Sequence, residues 1–113
     1  MQSPFKNDPF AMVYDSFKQL CPNRSCVIFW EREPRIREAD VEVMGYTDFP
    51  PDGSEPTVHV SEKFSVTESI ETLAHELAHV AVGPDHEHDD VWSGAYEQIR
   101  EGYLQRRYSK KER

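Results

Sequence analysis

The sequence predicts one α+β domain. It has an N-terminal helix, a small three-stranded, mostly antiparallel sheet, a second helix carrying histidines, and a closing C-terminal helix. Three observations predict it. Residues 10–20 and 70–81 place apolar side chains three and four apart, the period of a helix with one buried face. Three short segments between them alternate in polarity or run apolar and β-branched, as strands do. A chain of 113 residues without repeats or a linker-like tract holds a single modest core.

Asn7-Asp8-Pro9 opens the first helix, because Asp8 can cap the first turn and Pro9 fits its first position. Phe10, Val13, Tyr14, Phe17 and Leu20 form the stripe, and Cys21-Pro22-Asn23 ends it. Cys26-Val27-Ile28-Phe29-Trp30 reads as a strand. Glu31 to Asp40 is densely charged and contains Pro34, so it is a loop or an exposed hairpin connection. Val41, Val43 and Gly45 alternate with Glu42, Met44 and Tyr46, a half-buried strand. After the break at Phe49-Pro50-Pro51-Asp52-Gly53-Ser54, Thr57 to Ser61 alternates as a third strand. His59 turns away from Val58 and Val60 and reads as an exposed or rim residue.

Ser65-Val66-Thr67-Glu68 matches a capping box. Ile70, Leu73, Ala74, Leu77, Ala78 and Ala81 follow as a core stripe, and Gly83-Pro84 stops the helix. Asp85 to Asp90 is an acidic cap region. The last helix then places Trp92, Ala95, Tyr96, Ile99 and Tyr103 on one face.

The net charge of −8 argues against a general nucleic-acid binder, which would be basic. The charge is uneven: residues 100–113 carry +4 and the remainder −12. The basic tail at about 105–113 reads as a frayed, solvated helix end with at most weak contact to phosphate. No apolar run has membrane-spanning length, and Met1 to Lys6 lacks the pattern of a signal peptide, so the expected compartment is the cytoplasm. There Cys21 and Cys26 are expected as reduced thiols, and two cysteines cannot close a four-ligand zinc site.

The chemistry concentrates in Thr72-Leu73-Ala74-His75-Glu76-Leu77-Ala78-His79. His75 and His79, four apart, project from one helical face and can bind one Zn²⁺. Glu76 beside them can serve as general base toward water. In a chain of this composition, a chance His-Glu-x-x-His is expected only roughly 0.02 times. All three lie off the centre of the core stripe, so packing does not explain them. A third protein ligand is needed. His88, four before Trp92, is favoured: with a helix beginning near Asp85 it points into the domain, whereas His86 need not. Glu97 and Glu101, eighteen and twenty-two residues past His79, are the carboxylate alternatives, the option that thermolysin-like enzymes use.

The motif, the Gly-containing break and His88-Asp89-Asp90-Val91-Trp92 together resemble the SprT-like metallopeptidases, over roughly residues 57–100. Those have His-Glu-x-x-His, a short connection, then a His followed four residues later by Trp or Phe. The resemblance implies a zincin-like fold in a minimal single-domain form covering 1–113. It further implies a zinc peptidase acting on a protein or peptide, with metal ligands His75, His79 and His88 and base Glu76. Asp89-Asp90 departs from the Gly-Pro often found there, and the zinc ribbon or DNA-binding region of longer relatives is missing. The metzincin pattern is not met, since Gly83 and His86 each come one residue late and no Met follows Met44. In such a peptidase the strand Thr57 to Ser61 would be the sheet edge that pairs with extended substrate. Tyr96 or Tyr103 would be within reach of the oxyanion.

Two other readings stay open. Gly83-Pro84-Asp85-His86 is similar to the metal-dependent ribonuclease family typified by YbeY, but the spacing is one longer and Glu76 stands where that family has Gly. The other is a non-catalytic, zinc-stabilised binding module of phage or mobile-element type, which has no use for a base at Glu76.

Overall fold

Asp8 opens the first helix, α1 (Pro9–Leu20): its Oδ1 accepts from the Phe10 N–H at 2.9 Å and the Ala11 N–H at 3.4 Å. The structure is a computed structural model and describes residues 8–31, 37–38, 41–42 and 44–109. After α1 come β1 (Val27–Glu31), β2 (Arg37–Glu38), β3 (Val41–Glu42), β4 (Gly45–Asp48) and β5 (Thr57–Ser61), then α2 (Val66–Val82) and α3 (Asp90–Ser109). Helix α2 lies against β4 and β5, and α1 and α3 pack on α2 and on each other. Val13 and Phe17 of α1 are fully buried, as the stripe predicts. Met12 and Ser16 are buried too, because α3 crosses closely: Ser16 Oγ donates to the Ile99 carbonyl at 2.7 Å. At Gly102 a Cβ would come within 2.2 Å of that hydroxyl, so the crossing needs glycine there.

The sheet order is β1-β5-β4, with β5 in the centre. β1 runs parallel to β5, Val27 opposite Thr57, while β4 runs antiparallel to it, Gly45 opposite Val60. The sheet is therefore mixed. The segment Thr57 to Ser61, expected at the edge, has strands on both flanks, which leaves β4 and β1 as edges. Alternation along a strand fixes which face is buried but not which flank is paired, since pairing depends on distant segments. The strand expected over Val41 to Tyr46 is likewise two pieces. β3 pairs antiparallel with β2, Glu38 opposite Val41, and β4 starts afresh at Gly45 and runs on to Asp48. Val43, most of Glu31 to Asp40 and the final Lys110 to Arg113 lie outside the described residues.

Val58 and Val60 of β5 are buried with the α2 stripe: Ile70, Leu73, Ala74, Leu77 and Ala78. His59 points the other way, half-buried rather than open. Its ring stacks between Phe29 at 5.1 Å and Tyr46 at 4.2 Å and bonds to Glu31 and, at 3.1 Å, to Thr57 Oγ1. The capping box is formed in full: Ser65 Oγ accepts from the Glu68 N–H and Glu68 Oε1 from the Ser65 N–H, each at 3.1 Å. Gly83 ends α2 at φ 88°, a conformation that favours glycine.

Helix α3 begins at Asp90, not near Asp85, because Asp89 is its cap: Asp89 Oδ1 accepts from the Trp92 N–H at 3.0 Å. Trp92, Ala95, Ile99 and Tyr103 face the core. The described part of the basic tail, up to Ser109, is helical. Cys21 and Cys26 are free and half-buried, and burial pushes the Cys26 thiol up to about 11. Among the described residues no helix is long and apolar enough to cross a membrane.

Candidate metal centre

Helix α2 presents His75 and His79 one turn apart, on the side away from its buried stripe. His88 reaches them from the loop before α3. It is the single non-glycine residue with positive φ among those described, at 55°, a left-handed turn that His tolerates better than most residues. That turn brings its ring back over α2, so the inward direction expected from a helix comes from loop geometry instead. His88 Nε2 stands 3.1 Å from His75 Nε2 and 3.2 Å from His79 Nε2, and the three ligand atoms all lie within 4.8 Å of one another. This cluster is compatible with a metal ion. Asp89, where the SprT-like pattern often has Gly, supplies the cap that starts α3 just beyond His88.

Trp92 forms the wall behind the rings. Its ring centroid is 4.7 Å from His75, 5.4 Å from His79 and 4.7 Å from His88, and its indole N–H donates to the His75 carbonyl at 3.4 Å. Burial, then the neighbouring His79 and His88, pushes the His75 pKa down to about 4; burial and His88 push His79 down as well. Both rings are therefore held neutral with a nitrogen lone pair available, the form in which imidazole binds metals.

Glu76 is buried between α2 and β4 with 7 % of its surface exposed. Its Oε1 accepts from the Thr47 hydroxyl of β4 at 2.7 Å, and its Oε2 lies 3.9 Å from His75 Nε2, beside the three-nitrogen cluster. Burial raises the Glu76 pKa, and the Thr47 bond opposes that shift. A carboxylate so placed can take a proton from a molecule held at the cluster. A groove of about 410 Å³ runs alongside, its walls including Met44, Gly45, Thr72, His75, Glu76 and Tyr96.

The remaining candidates fall elsewhere. His86 Nδ1 pairs with Asp89 Oδ2 at 2.7 Å, outside the three-histidine cluster. Glu97 is exposed, and Glu101 lines a different groove between α1 and α3. Tyr96 sits at the rim, its ring stacked on Trp92 and its hydroxyl donating to Glu71 Oε2 at 2.6 Å; burial and Glu71 raise its pKa to about 12. Tyr103 is buried in the core, its hydroxyl accepting from Arg107 at 2.6 Å, and it does not line the groove. Thr47 escapes a motif search. The signal that could find it is parity: it follows Gly45 by two, on the same face of the strand.

Comparison with known proteins adds one match. No curated protein and no solved structure matches the chain. A protein-family profile does match: Peptidase_M78, the IrrE N-terminal-like domain, over residues 31–103. That span begins at the last residue of β1 and takes in β4, β5, α2 with its His-Glu-x-x-His motif, His88 and α3 as far as Tyr103. The match reaches a peptidase family without singling out the SprT-like group. Covering well over half of the sequence and the whole histidine cluster, it shows that the chain belongs to the IrrE N-terminal-like peptidase family.

Proposed function

We propose that the protein is a zinc-dependent peptidase that hydrolyses peptide bonds of a protein or peptide substrate. The observation that carries the reading is the pairing of three converging histidine nitrogens with a buried carboxylate directly beside them. Two of the three nitrogen pairs fit zinc: ligands 2.0–2.1 Å from a tetrahedral ion stand about 3.3–3.4 Å apart, close to the 3.1 and 3.2 Å from His88 to His75 and His79. His75, His79 and His88 would hold the ion and leave a fourth position open. When bound, Zn²⁺ would polarise the scissile carbonyl and acidify the attacking water. Glu76 takes that water's proton and passes it to the departing amine. The substrate would lie along β4, which among the described residues has a strand partner on one side only and borders the groove. Tyr96 would help hold the oxyanion once its hydroxyl turns from Glu71.

The SprT-like placement rests on His88 standing four before Trp92. A structural zinc module is the competing reading, and Glu76 opposes it, because a closed structural site has no use for a buried acid beside it. The purified protein is expected to carry near one zinc per chain and to cleave unfolded polypeptide. Removing zinc with a chelator should stop cleavage, and adding it back should restore it. The metal-free protein should still unfold cooperatively at a lower temperature, since Leu73, Leu77, Ile99 and Phe17 form a core without it. Cleavage that survives complete metal removal would refute the proposal.

A further inference from the structure

Strand β4 is fastened to the catalytic helix at two points on one face. At Gly45 the helix comes so close that a Cβ would lie 2.6 Å from Thr72 Cγ2, and the next Cβ position in the same direction is Thr47. The Thr47 hydroxyl lies 2.7 Å from Glu76 Oε1 and 3.3 Å from the Glu76 backbone carbonyl. A hydroxyl has one proton to give, and the shorter contact, to a carboxylate, is the stronger bond. With Oε1 held from the strand side, the carboxylate cannot rotate freely. Its second oxygen, Oε2, is the one left facing the histidine nitrogens, 3.9 Å from His75 Nε2. Among the described residues, Thr47 is the only hydrogen-bond donor to the Glu76 carboxylate.

We infer that Thr47 is a positioning residue for the peptidase reaction: from the strand that would bind the substrate, it fixes the Glu76 carboxylate with one oxygen aimed at the site of proton transfer. The inference rests on the peptidase reading above. It ties the substrate-binding edge to the base, so that a peptide seated on β4 meets a carboxylate already in its working rotamer. Thr47 touches no reacting atom, and its effect should fall on the chemical step rather than on binding.

The experiment compares wild type with Thr47→Val, which keeps the shape and loses the donor, and Thr47→Ser, which keeps the donor and loses the methyl. Zinc content, melting temperature, kcat and KM are measured, and a crystal structure of each zinc-loaded variant gives the Glu76 rotamer. Misplacement of a catalytic group by about 1 Å can cost about 10²-fold. Thr47→Val is therefore expected to lose about 10- to 100-fold in kcat with KM within about twofold. It should keep its zinc and show a rotated carboxylate. Thr47→Ser should hold the wild-type rotamer and recover most of the rate. Full kcat in Thr47→Val would overturn the inference alone, as would an equal loss in Thr47→Ser or an unmoved carboxylate in Thr47→Val. Should Thr47→Val fail to fold, the rate and rotamer of Thr47→Ser decide. A wild type that cleaves nothing would overturn the peptidase reading, and this inference with it.

Discussion

Replacing His88 by Ala removes the nitrogen that stands 3.1 and 3.2 Å from the other two and leaves His75 and His79 as a bidentate pair on α2. Four-ligand zinc sites in small proteins bind with about 10–16 kcal/mol, so one ligand is worth about 2.5–4 kcal/mol. At about 1.4 kcal/mol per decade, the expected loss is about 10²- to 10³-fold in zinc affinity. The backbone at His88 is already left-handed, and Ala adopts φ 55° no more readily than His does. Loss of the ring is therefore accompanied by some strain in the turn, which a fall in melting temperature registers separately from zinc affinity. His86→Ala is the matched control. It removes a half-exposed ring paired with Asp89, while Asp89 still caps α3 through Trp92. An exposed pair of this kind adds little to stability, so zinc affinity should change by no more than a few-fold. The assay is competition against a chromophoric chelator at neutral pH, with circular dichroism to show that both variants fold. A greater loss in His86→Ala than in His88→Ala would refute the reasoning and return the site to the ribonuclease-like spacing.

Gly45→Ala should destabilise the protein by about 1–3 kcal/mol in urea unfolding, because the new methyl meets Thr72 Cγ2 at 2.6 Å and the His59 carbonyl at 2.7 Å. Gly94→Ala in α3 meets nothing within 4 Å and should stabilise by up to about 1 kcal/mol through helix propensity, so similar effects at the two sites would contradict the packing described. In the metal-free protein, the His75 ring resonances should titrate near pH 4, and His79 below the ordinary histidine range. Because the folded rings bind protons less readily than the unfolded ones, their contribution to stability is complete above about pH 6.5 and is lost as pH falls toward 4. Titration of both rings near 6.5 would show that the burial is wrong.

Much of this site is written locally, which is why the sequence exposes it. The capping box at Ser65 and Glu68, the stripe from Ile70 to Ala78 and the stop at Gly83 all act within a few residues, and together they fix which face of α2 His75 and His79 occupy. His88 is legible through its spacing to Trp92. A helix begun at Asp85 would aim it inward by that spacing; in the structure Asp89 starts the helix late and a left-handed turn aims the ring. Telling Asp85 from Asp89 as the cap requires knowing which N–H groups are left unpaired. Less legible is what depends on distant pairing. The alternation of Thr57 to Ser61 reads alike for an edge and a central strand, and only β1, across a crossover, makes β5 central. Thr47 stays hidden for the same reason: a threonine on a strand announces nothing until α2 brings Glu76 against it.

The central claim, that buried Glu76 is the base of a zinc peptidase, is tested most directly by Glu76→Gln. Glutamine keeps the size and can still bond to Thr47, but it accepts no proton. Zinc content should stay at the wild-type level, because Glu76 lies beside the three nitrogens and is not counted among them. Cleavage of unfolded protein should fall by about 10²- to 10⁴-fold, the typical cost of losing a positioned general base. Zinc retained with cleavage lost is the result the account predicts. Equal cleavage by wild type and Glu76→Gln, both fully loaded with zinc, would contradict it.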